Sequence, residues 1–368
     1  MQLKRRELLK SGLALSAASV LPFGNAYAGE ASPAFEPRPG SWRTFEVTTQ
    51  IRLPASATPA QVWIPLPSVT ADEWIRPVSD DCSCPDGNAA EVEIGPYKTK
   101  MVRVEWSGAN DRTAQIVSRV ATRDRFVDLT KPGNPQPLSK AEHELYLSPT
   151  KFIPTDGIVK ATADKITAGA TTDVEKARLL YQWIVVNTYR DPKVAGCGEG
   201  DIKHMLETGT MGGKCADLNA LYVGLARASG IPARDLYGVR TAASKFGYKS
   251  LGPSTPVVTK AQHCRAEIYL AQWGWVPVDP ADVRKVALEE PPGNLPLSDA
   301  KVDAARHTLF GAWETNWIAY NYGHDITLPG SQGAPVAFLM YPQGEIGGQR
   351  RNCLDASAFE YTITSREV

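Results

Sequence analysis

The stretch "MGGKCADLNALYVGLARASGIPAR" (Met211–Arg234) constrains this chain more tightly than any other. Leu218, Leu221, Tyr222, Leu225 and Ala226 form one apolar stripe at helical spacing. Gly230 supplies a stop and Pro232 forbids continuation, so a helix is bounded between Cys215 and about residue 229. Gly212 and Gly213 let the chain turn sharply just before it, and Gly213 leaves space for a substrate backbone to approach. Cys215 therefore falls in a first helical turn. There the positive end of the helix favours a thiolate, and free N–H groups can donate to a developing oxyanion. A buried structural cysteine is the competing reading, since cysteine is among the most buried residue types.

Cys215 has candidate partners. "QHCRAEIYLAQWGWVPVDPAD" reads as a hairpin with His263 at the head of one arm and Asp279 at the end of the other. The turn near Ala271–Gly274 makes the arms nearly equal, so the two residues are expected to lie across from each other. An aspartate there would accept from one imidazole nitrogen and leave the other to deprotonate a thiol. Each residue also has a bland reading, His263 as a surface polar group and Asp279 as a turn residue before Pro280.

Taken in order, "GGKCADLNALYVGLARASGIPAR", "HCRAEIY" and "GWVPVDPAD" resemble the core of the transglutaminase-like superfamily. The resemblance spans roughly residues 158–290 and implies an α+β, papain-like domain with a Cys-His-Asp triad. It assigns Cys215 as nucleophile, His263 as base and Asp279 as the orienting carboxylate. The helix "ARLLYQWIVVNTYR" fits the one that precedes the nucleophile in such domains. One departure is Arg265, where many members carry an aromatic residue. Arg265 and Glu267 share the His263 face of a strand. They are expected either to form a local ion pair or, for Arg265, to bind a substrate carboxylate.

The 368 residues are enough for two ordinary domains. Residues 1–28 carry a basic head with Arg5-Arg6, a mild apolar run and the small-residue site Ala26-Tyr27-Ala28, which reads as a cleavable twin-arginine export signal. That implies a periplasmic or otherwise exported protein, and the run is too short for a permanent membrane span. Residues 29–40 read as a linker. Residues 41–128 alternate apolar and polar side chains between turn signals, as an antiparallel β-sandwich-like domain would. Residues 129–157 are proline-rich and read as a second linker. Residues 158–290 form the catalytic domain, and 291–368 a C-terminal extension whose strands pack on the core. Charge is balanced overall, 22% of residues being charged, with no single-sign block of the kind a nucleic-acid surface needs.

Other signals are weaker. "HELYL" (His143–Leu147) lacks the second histidine of a zinc metallopeptidase helix. Cys82 and Cys84 have the wrong spacing for zinc, and no metal or cofactor is expected. "AGCGEGD" (Ala195–Asp201) reads as a flexible loop, although Cys197 is near enough in sequence to pair with Cys215 as a redox lock. Cys264 is expected in the core. Altogether the sequence points to an exported cysteine-dependent amide hydrolase acting through a thioester. Its partner is a peptide, isopeptide or protein amide, cell-wall peptide included. Transamidation on the same triad and a non-catalytic envelope binding module are the alternatives.

Overall fold

Strands with one buried face account for most of the N-terminal third. Arg43–Leu53 and Arg112–Thr122 alternate buried and less buried side chains along their length and pair antiparallel over eleven registered positions. A computed structural model describes residues 34–108 and 112–368, so the export signal read at residues 1–28 lies outside the described residues. Ile75–Ser83 flanks Arg112–Thr122, and Glu360–Glu367, from the far end of the chain, flanks Arg43–Leu53. A second antiparallel sheet runs Gln349–Arg350, Gln343–Ile346, Ala60–Pro65, Thr99–Trp106 and Asn88–Ile94. Ile51, Ile64, Val104, Trp106, Ile116 and Phe359 form one buried cluster drawn from both sheets.

Within the segment read as a C-terminal extension, Trp317–Asn321 joins the central sheet described next. Gln343–Ile346 and Glu360–Glu367 instead extend the two N-terminal sheets. The proline-rich stretch 129–157 also holds a helix, Lys140–Leu147. Its start is fixed by a reciprocal capping box between Ser139 and Glu142.

The centre of the molecule is the helix Cys215–Ala228, every residue of which is buried. A helix buried all round needs partners on every side. One side is covered by an antiparallel sheet ordered Gly274–Val278, Gln262–Leu270, Ala233–Arg240 and Trp317–Asn321. The helices Gly157–Ile166, Asp173–Asn187 and Pro280–Glu289 also pack against it. Asp173–Asn187 starts on a Thr172/Glu175 capping box and buries Ala177, Leu180, Tyr181 and Ile184, which recur at i, i+3, i+4, i+7 spacing along one helical face. The central helix ends where Gly230 adopts φ +83° and the Ile231 N–H returns to the Ala226 carbonyl. No helix among the described residues is long and apolar enough to cross a membrane.

Candidate active site

Cys215 is the first residue of the central helix, with Lys214 at the N-cap. Asp217, at the third position, accepts from the Lys214 N–H at 2.9 Å and also from the N–H groups of Glu199 (3.0 Å) and Gly200 (2.9 Å). The Ala216 N–H donates to the Cys197 carbonyl at 2.9 Å. The glycine-rich loop 195–201 is therefore strapped to the start of the helix. Gly198, at φ +93°, lies so close to Asp217 that a Cβ there would stand 1.9 Å from its carboxylate. The strap sets Cys197 beside Cys215. It also occupies the Ala216 N–H, one of the first-turn donors that could otherwise serve an oxyanion.

His263 sits on the strand Gln262–Leu270 and Asp279 just beyond Gly274–Val278. The hairpin register pairs Ala266 with Val278. One further step sets Asp279 against Arg265, so His263 is met on the diagonal rather than face to face. Contact is made nevertheless. His263 Nε2 lies 2.8 Å from Asp279 Oδ2, and both residues are buried. A carboxylate oxygen can only accept here, so Nε2 carries the proton. Asp279 also caps the helix Pro280–Glu289, its Oδ1 accepting from the Asp282 N–H at 3.0 Å and from Asn219 Nδ2 at 3.3 Å. The Trp317 indole N–H donates to the His263 carbonyl at 2.9 Å and fixes the strand below the ring.

Three neighbours of the histidine were not singled out from sequence. Asp282 Oδ2 lies 3.4 Å from His263 Nε2, and its other oxygen accepts from Arg240 Nη2 at 2.5 Å. Asn219, one turn along the central helix from Cys215, bridges Asp279 and the Cys264 carbonyl. Asp282 was legible in principle as the third residue of a helix opened by Asp279-Pro280. Arg240 carries no local signal, because only the folded sheet brings it near.

These contacts set the charges. Burial raises the Cys215 thiol, but the neighbouring Cys197 and Cys264 thiols and the His263 imidazole outweigh it and hold Cys215 well below the ordinary thiol range. Burial and the Arg240 charge push His263 down, yet Asp282 and Asp279 carry it up to about 9. Asp282 stays well below the usual carboxylate range; Arg240 and His263 overcome the effect of burial. Asp279, buried beside that second carboxylate, is raised. The directions describe a thiolate beside an imidazolium.

Arg265, Glu267 and Gly213, expected from sequence to contact substrate, are not among the residues lining the cleft at Cys215. Arg265 is buried behind His263 and Asp279, donating to the Glu314 carbonyl at 2.8 Å and standing 3.6 Å from Asp279; it does not line the cleft that opens at Cys215. Glu267 is buried and pairs with Arg125 and, at 2.6 Å, with Arg234, not with Arg265. Gly213 is also buried, packed against Asp217. Cys264 is in the core. Among the described residues His263, Asp279 and Asp282 alone converge closely enough to offer ligand atoms to one cation. Arg240 and Arg265 already serve those carboxylates, so a divalent ion would have to compete with two guanidinium groups.

With this geometry in view, the likenesses to known proteins fall into place. Residues 160–280 match the model of the transglutaminase-like superfamily core. An uncharacterized protein of Haemophilus influenzae is 37% identical over 324 residues, covering 83% of this chain and 86% of its own. The solved structure of a candidate cysteine protease from Cytophaga hutchinsonii superposes with a TM-score of 0.50 at 16% identity, over 89% of this chain and 99% of that one. The first of these is a relationship in sequence; the last is one of fold. The chain belongs to the transglutaminase-like superfamily.

Proposed function

We propose that this protein is an exported cysteine-dependent amide hydrolase with Cys215 as nucleophile, His263 as base and acid, and Asp279 as the carboxylate that orients it. The observation carrying this reading is the buried 2.8 Å contact between His263 Nε2 and Asp279, with Cys215 at a helix start lining the same cleft as His263. Because Nε2 is committed to the carboxylates, Nδ1 is the nitrogen left for the sulfur.

The thiolate attacks the amide carbonyl and forms a carbon–sulfur bond while the oxygen becomes an oxyanion. The Cys215 N–H and polar hydrogens of the cleft wall, Gln262 and Tyr341 among them, are the available donors. As the tetrahedral species collapses, the carbon–nitrogen bond breaks and His263 gives its Nδ1 proton to the departing amine. A water then loses a proton to His263 and attacks the thioester, releasing the carboxylic acid and restoring the thiolate. Transamidation would follow if an amine replaced that water. The substrate is a peptide, isopeptide or protein amide, and the twin-arginine export signal read in residues 1–28 would put the reaction in the periplasm or otherwise outside the cytoplasm. Within the chain we assign residues 158–290 to catalysis. Arg265, being buried, is a positioning residue for Asp279, and Glu267 a counter-ion for Arg125 and Arg234.

Intact-mass analysis after incubation with envelope peptides tests the proposal. An acyl adduct on Cys215 that is absent in Cys215→Ala is the expected result. Turnover that survives in Cys215→Ala would overturn it.

A further inference from the structure

The cleft at Cys215 has a volume of about 450 Å³. Its lining includes five cationic side chains, Arg190, Lys214, Arg240, Lys260 and Lys285, and no carboxylate. Three of the five are already answered from behind. Arg240 is paired with Asp282 at 2.5 Å, while Arg190 and Lys285, the latter at 3.7 Å, share Glu289. Lys214 and Lys260 form no ion pair among the described residues.

These two surplus charges are not scattered. Lys214 immediately precedes the nucleophile, so its Cα lies about 3.8 Å from that of Cys215. Lys260 stands three residues before His263 on the run into the same strand. The cleft rim also carries Leu354, which is 47% exposed, so apolar surface is offered beside the charge. A concave, low-dielectric site lined by one sign of charge concentrates ligands of the other sign.

We infer that the acyl donor is an acidic peptide, one that presents a carboxylate beside the scissile amide to Lys214 and Lys260. The inference rests on the acyl-transfer reading above and adds the substrate's charge to it. It also moves the carboxylate contact from Arg265, which is sealed off, to lysines that face the opening.

Alkylation of Cys215 by iodoacetate and by iodoacetamide, two probes of similar size that differ in charge, tests it on the intact protein. Second-order rate constants are measured for both and their ratio is divided by the same ratio for glutathione. A normalised preference for iodoacetate of at least about tenfold is expected. It should collapse as salt rises from about 0.01 M to about 1 M, over which the Debye length falls from roughly 30 Å to 3 Å. It should also drop severalfold in Lys214→Gln and in Lys260→Gln; the exposed Lys260 keeps the test valid if the helix start does not tolerate the first change. A normalised ratio near one overturns the inference. So does a high ratio that neither lysine variant alters, because the His263 imidazolium alone would then account for it. If iodoacetamide itself does not select Cys215, the acyl-transfer reading fails first and this one with it.

Discussion

Among the described residues the molecule holds two buried histidine–aspartate pairs, and their imidazoles differ in charge. His263 stands 2.8 Å from Asp279, and His324 stands 3.4 Å from Asp235. Both histidines and both aspartates are buried. Yet His263 is carried up to about 9, whereas burial and the Arg227 charge hold His324 well below the ordinary imidazole range. Asp235 itself is pushed up to about 7 by burial, which Arg227 only partly offsets. The difference lies in the neighbours. His263 faces a second carboxylate, Asp282, which Arg240 keeps ionised, and Asp279 is further held by a helix N–H and by Asn219. Among the described residues, His324 has the Tyr237 hydroxyl, 3.3 Å from its Nδ1, and the Tyr97 ring besides Asp235, and no second carboxylate. One buried carboxylate does not make an imidazolium; a networked pair of them does.

The first expected consequence is kinetic. His263→Ala should slow iodoacetamide alkylation of Cys215 near neutral pH by about tenfold or more, because the sulfur loses the adjacent cation that holds it as thiolate and reverts toward the few per cent thiolate of an ordinary thiol. His324→Ala should change that rate less than about twofold, since rates move little when a group outside the reacting set is removed. Equal losses in both variants would erase the contrast.

Next is stability. Asp282→Asn leaves Arg240 buried without its counter-ion and should cost about 3–5 kcal/mol in denaturant melts. A loss below about 1 kcal/mol, the worth of an exposed pair, would mean the network does not hold the site together. The remaining effect is on the other pair and has a defined sign. Asp235 binds its proton more tightly folded than unfolded, so it adds stability as pH falls from about 7 toward the ordinary 3.8 and loses that contribution as pH rises again. Asp235→Asn should flatten that part of the stability profile. An unchanged slope would show that Asp235 is ionised in the fold.

The contrast also explains what could be read beforehand. Cys215 was legible because glycines, a helical stripe and a stop codify its position within two dozen residues. Asp279 was legible from hairpin spacing, although the register misjudged it by two positions: a diagonal contact and a facing one look alike when only arm lengths are known. Arg240, Asp282 and Asn219 were not singled out because their roles exist only after sheet and helices pack. The 195–201 loop read as flexible, since nothing local announces that Asp217 will anchor its N–H groups. Likewise, Glu360–Glu367 pairing with Arg43–Leu53 joins the two ends of the described chain, and alternation within a strand never names its partner. The helix Lys140–Leu147 did carry a signal, Ser139-x-x-Glu142, outweighed by the prolines around it.

The charge on the two histidines can be measured directly by nitrogen-15 NMR of the imidazole rings across a pH titration of the unliganded protein. The account predicts that His263 keeps both ring protons through neutrality and releases one near 9, while His324 stays neutral throughout. Both rings titrating together near the ordinary value of 6.5 would contradict it.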